Sequence, residues 1–79
     1  MSNSISLATP GANMTMVSIG ERDWFFSYAT CVAFRDMKRG IRIRRDRNYS
    51  KTTAKHMTQF AVKEWRQVDD AEFERQASL

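Results

Sequence analysis

Seventy-nine residues with a formal net charge of +4 make one domain at most. A chain of this size buries only about 60% of its unfolded surface, so its core is marginal without help. The single cysteine, Cys31, excludes an internal disulfide and fits a reducing compartment. One histidine and one cysteine, with no Cys-x-x-Cys or His-x-x-x-His pair, give metal chemistry little to work with, and no cofactor is implied.

There is no basic region followed by an apolar run, and no apolar stretch approaches the roughly 20 residues that span a membrane. The expectation is a soluble protein in the cytoplasm. Charge is unevenly spread. Arg35 to Lys51 carry eight Lys or Arg against two Asp, whereas Asp69 to Leu79 carry four acids and one Arg. Such asymmetry points to a polyanionic or acidic partner, or to mutual attraction between the two segments.

In chain order, residues 1–13 are small and polar and predict a flexible N-terminal arm. Thr15, Val17 and Ile19 alternate as in a short strand that Gly20 ends. From Trp24 to Phe34, even positions carry Trp24, Phe26, Tyr28, Thr30, Val32 and Phe34, and odd positions carry mostly small residues. On a strand this gives one bulky and one small face. Its length predicts a bend or bulge near Ala29 and Thr30, or a tight turn into another strand. The turn "DMKRG" leads to the strand "IRIRR", with Ile41 and Ile43 toward the core and Arg42 and Arg44 outward.

The apolar period then changes to 3.6. Ala54, Met57, Ala61, Trp65 and Val68 share a stripe with Phe60 on its flank, which predicts one main amphipathic helix. It is expected on the bulky sheet face. Asp69 with Glu72 reads as a capping box, and Val68 with Phe73 as a hydrophobic staple, so a short terminal helix is expected. The predicted architecture is α+β: a meander of three to four antiparallel strands under one main C-terminal helix. Residues 14–76 form the domain and residues 77–79 fray.

Among candidate functional residues, Lys38, Arg39, Arg42, Arg44, Arg45 and Arg47 form a basic edge that suits phosphates or an acidic protein surface. Basic residues on strands also blunt edge-to-edge aggregation. His56 lies beside Thr52 on the helix, without the nucleophile and orienting group that catalysis needs. Ser50 reads as a helix cap. Ser27 and Thr30 on the strand, with Thr52, Thr53 and His56 at the helix start, are expected either to fasten helix to sheet or to face a partner together with Tyr28. Cys31 reads as a small buried hydrophobe.

Two blocks, "FFSYATCVAFR" and "YSKTTAKHMTQF", resemble in order and spacing a family of small phage and prophage proteins of uncharacterised function. That family has a Ser-Tyr-Gly-Thr-Pro-Val-Ala strand block and a Tyr-Ser-x-Thr-Thr-x-Lys-His helix start. Ser27, Tyr28, Thr30, Val32 and Ala33 match the first block; Tyr49, Ser50, Thr52, Thr53, Lys55 and His56 match the second. Ala29 and Cys31 replace the Gly and Pro, which allows a gentler bulge there.

The resemblance implies a phage-like origin and a non-enzymatic protein that binds and inhibits a host complex, with anti-CRISPR-like inhibitors of defence as one class. The partner would be a host protein or ribonucleoprotein complex with an acidic or nucleic-acid-binding surface. Direct nucleic-acid binding by the Arg35–Lys51 region is the alternative, and the marginal core leaves a homodimer open.

Overall fold

The computed structural model describes residues 5–47 and 49–78. Eight elements follow in order: β1 (Ile5–Gly11), β2 (Met14–Ile19), β3 (Arg22–Ser27), β4 (Thr30–Asp36), β5 (Ile41–Arg45), α1 (Lys51–Gln59), β6 (Arg66–Val68) and α2 (Asp70–Ala77). The strands form one sheet in sequence order. β1 to β5 are antiparallel neighbours, and β6 joins β5 in parallel. This six-stranded mixed sheet with two short helices replaces the expected three- to four-stranded meander under one main helix.

The first correction is at the N-terminus. Ile5–Gly11, expected within an arm, pairs with β2 from Ile5↔Ile19 to Gly11↔Met14. Small polar residues obscured the Ile5/Leu7 alternation, which places both side chains on the face of Ile19 and Val17. Pro10 is tolerated because β1 is an edge strand and its register shifts between Ala8 and Gly11. Residues 1–4 of the expected arm lie outside the described residues.

The second correction splits the Trp24–Phe34 run. A tight turn at Tyr28–Ala29 follows β3, with Ser27 paired to Thr30 and Tyr28 at φ 55°. The Tyr28 N–H donates to the Asn13 carbonyl at 2.8 Å, which holds this unfavoured backbone in place. Phe25 then pairs with Ala33 and Phe26 with Cys31, so Val32 is the extra residue of a bulge. The bulge shifts the alternation and lets Val32 and Ala33 join one core cluster while Cys31 borders the other.

Those clusters lie on opposite faces of the sheet. Under α1, Phe25, Val32 and Ala33 meet Met57 and Val62, bordered by Met16, Phe60 and Trp65. Phe25 is the hub, with its ring edge-to-face on Phe60 at 5.2 Å and on Trp65 at 5.4 Å. Under α2, Phe34, Ile43 and Val68 meet Phe73, bordered by Trp24 and Ile41. The main helix was expected on the bulky Trp24/Phe34 face. It packs instead on the face of Phe25, Ser27 and Ala33, where two small side chains admit Met57. The Trp24/Phe34 face receives α2.

The third correction concerns the helix length. α1 stops at Gln59, capped by Phe60, with Ala61 at φ 63°. The Val62 N–H donates to Met57 O and the Ala61 N–H to Thr58 O, the two bonds of a Schellman motif. Its hydrophobic contact is Met57 with Val62, both fully buried. The stripe that continued through Trp65 and Val68 fits a helix but is used by a strand: β6 supplies backbone partners to the β5 edge, and the Asp46 N–H donates to Val68 O at 2.8 Å. Ala61 occupies the position where glycine is favoured. Ala61→Gly is expected to stabilise the domain by about 0.5–1 kcal/mol in chemical denaturation.

The terminal helix follows its expected start. Asp69 accepts from the Glu72 N–H at 2.8 Å, and Val68 and Phe73 share a cluster. The Glu72 carboxylate completes no box; it takes Arg75 and Gln76 instead. Ala77, expected to fray, is helical, and its carbonyl accepts from Trp24 Nε1 at 3.3 Å. Leu79 lies outside the described residues.

Candidate interaction surfaces

The predicted basic edge is largely tied up in contacts within the chain. Arg45 lies 4.4 Å over the Phe73 ring, donates to the Cys31 carbonyl at 2.7 Å, and pairs with Asp70 and Glu74 at 3.3 and 3.4 Å. Arg47 takes Asp70 at 2.7 Å, and these two arginines, Arg47 first, hold the Asp70 carboxyl below the usual range. Arg39 pairs with Asp36 at 2.7 Å and reaches the Gln76 side chain and carbonyl. Arg44 donates to the Lys63 carbonyl at 2.8 Å.

Of the six, Lys38 and Arg42 alone are exposed with no side-chain partner among the described residues. The basic centre and the acidic C-terminal segment therefore attract each other within the chain. The arginines clamp α2 to the β4–β5 end of the sheet.

The polar lock forms in part. Ser27 Oγ lies 2.8 Å from His56 Nδ1 and donates to Thr53 Oγ1 at 3.0 Å. Tyr28 leans on the imidazole at 5.7 Å between centroids. Ser50 caps α1 by accepting from the Thr53 N–H. Thr52 and Thr30, also expected in the lock, are exposed and lie outside it. Ser27 is only 2% exposed, so this contact joins β3 to α1 through a buried hydroxyl.

Burial pushes the Cys31 thiol up to about 11, against the attraction of Arg45. A thiolate is the reactive form, so alkylation of Cys31 at pH 8 should run roughly 100-fold slower in the folded chain than in denaturant. Among the described residues, no group of three or more His, Cys, Asp or Glu could hold a metal ion. No helix among them is long and apolar enough to cross a membrane.

A surface that composition obscured lies on the other side of the sheet. α2 covers β4, β5 and β6 and reaches Trp24 of β3, but leaves the same face of β1, β2 and the rest of β3 open. There, Leu7, Val17 and Trp24 lie in one cross-strand row, with Ile5 and Ile19 in the next. Ile5 and Leu7 are 69% and 70% exposed, and Val17, Ile19, Trp24 and Phe26 line a shallow depression beside them. None of the first 20 residues is charged, so the β1 edge lacks the lysines that usually protect an open strand. The sequence signal for this face is the pairing of that uncharged stretch with Ile5/Leu7 alternation.

No curated protein and no solved structure matches the chain. The model of a family of unknown function, DUF8033, matches residues 2–75, nearly its full length. The chain belongs to that family.

Proposed function

We propose that this chain is a non-enzymatic binding protein of phage type that modulates a host protein complex, with defence complexes as the candidate class. We further propose that it docks through the apolar face and open edge of β1–β3. The carrying observation is the exposure of Ile5 and Leu7 beside Val17, Ile19, Trp24 and Phe26, on a strand edge without charge. Contiguous exposed apolar surface of this kind favours protein contact, and an open strand favours β-augmentation. The resemblance of "SYATCVA" and "YSKTTAKH" to phage proteins supports the host setting.

Leu7→Glu should weaken capture of the host partner about tenfold or more while leaving the melting temperature unchanged, because Leu7 contributes little to the core. Equal capture by the wild type and the variant would refute this surface. Nucleic-acid binding is the second reading, favoured by the exposed Lys38 and Arg42. Two cations contact about two phosphates, so the log–log salt slope of that patch would be about −2.

A further inference from the structure

A cleft of about 610 Å³ separates the β1–β2 turn from α1. Gly11, Ala12, Lys51, Thr52, Lys55 and His56 are among its walls, and no acidic side chain lines it. Its size falls within the range of small-molecule sites. Three features of the cleft point to the same kind of ligand.

The first is an uncompensated charge pattern. Lys51 and Lys55 are one turn apart on the same helix, where like charges repel. Lys51 stands in the first turn of α1, which contains no acid, so the helix dipole opposes it as well. An anion between them removes both penalties.

The second is His56, which is 7% exposed and lines the cleft. Its Nδ1 is fixed on Ser27 and its ring is steadied by Tyr28, while Nε2 makes no hydrogen bond among the described residues. Nε2 can donate as the imidazolium, or in the neutral ring once the Ser27 hydroxyl turns its proton toward Nδ1.

The third is donor number. Lys51, Lys55, Thr52 and His56 all line this one cleft and all carry donors, and a tetrahedral oxyanion offers more oxygens to them than the two of a planar carboxylate.

We propose that this cleft binds a phosphate group, either as free phosphate or as the phosphate of a nucleoside monophosphate. Lys51 and Lys55 neutralise the anion, and His56, held by Ser27, donates from the floor. The site is separate from the apolar docking face and does not depend on it.

The test is an NMR titration of the full chain with inorganic phosphate, and in parallel with AMP, at low salt. Saturable shifts of the His56 ring and the Lys55 amide are expected. Lys51→Ala and Lys55→Ala should each weaken binding about 5–10-fold without lowering the melting temperature. Tighter binding of AMP assigns a nucleotide; equal affinity for AMP and phosphate assigns the phosphate group alone. The proposal is overturned if the shifts do not saturate, if acetate reproduces them at the same concentration, or if the lysine variants bind as well as the wild type.

Discussion

Phe73→Ala should cost about 4 kcal/mol and lower the melting temperature by roughly 15–30 °C. Phe73 is 1% exposed and is the residue by which α2 reaches Phe34, Ile43 and Val68. Removing the ring opens a cavity there and strips the surface on which the Arg45 guanidinium rests. Arg45 then loses its apolar support, and its contacts to Asp70 and Glu74 become those of an ordinary exposed pair. A domain of this length holds roughly 4–12 kcal/mol in total, so the variant should sit near the unfolding threshold. Circular dichroism melts would show it directly. A loss below about 1 kcal/mol would mean that α2 is not docked on the sheet.

Asp36→Asn should cost about 3 kcal/mol. Asp36 is 2% exposed at the end of β4, accepts three hydrogen bonds and forms a further ion pair. The Lys38 and Arg39 N–H groups reach Oδ1 at 3.0 and 3.1 Å, and Arg39 and Arg22 reach Oδ2 at 2.7 and 3.2 Å. Asparagine keeps one acceptor but turns an amide toward one set of donors and removes the charge. Arg22 and Arg39 are partly exposed, so water recovers some of the loss.

The same carboxyl governs acid sensitivity. The Arg39 hydrogen bond leads in holding it below the usual carboxylate range, against the effect of burial. Its stabilisation is therefore complete above the unfolded value of about 4 and is lost as pH falls through the lower folded value. Asp70 and Glu72 are lowered by Arg47 and Arg75 respectively and act in the same direction at the surface. Wild-type stability should decline from about pH 5 downward, and Asp36→Asn should flatten that decline. An equal decline in both proteins would place the acid-sensitive groups elsewhere.

The chemistry of caps and staples was legible in the sequence because it is local. Ser50, Asp69 and the Val68–Phe73 pair each follow from neighbours within a few residues. Strand identity from Thr15 to Ile19 and from Ile41 to Arg45 was equally local. What failed was partnership across the chain. A 3.6-residue stripe through Ala61, Trp65 and Val68 cannot reveal that Ala61 turns left-handed or that residues 66–68 join β5. The bulge at Val32 likewise redistributed a clean alternation between two faces.

The arginine cluster shows the same limit from the functional side. Composition marked Arg35–Lys51 and Asp69–Leu79 as opposite in charge, but only the fold sets Arg45 and Arg47 against Asp70. The polar lock was readable in part because Ser27, Thr53 and His56 lie at the end of one element and the start of another, while Thr52 points away by a single helical step.

The open apolar face is the feature on which the functional account turns, and site-specific photo-crosslinking tests it most directly. A benzophenone side chain placed at Leu7, and in a second protein at Arg42, would be irradiated in host cells. A discrete host-protein adduct is expected from position 7 and little or none from position 42. Adducts confined to position 42, nucleic-acid adducts there, or a position-7 adduct consisting only of a second copy of this 9.2 kDa chain would contradict it.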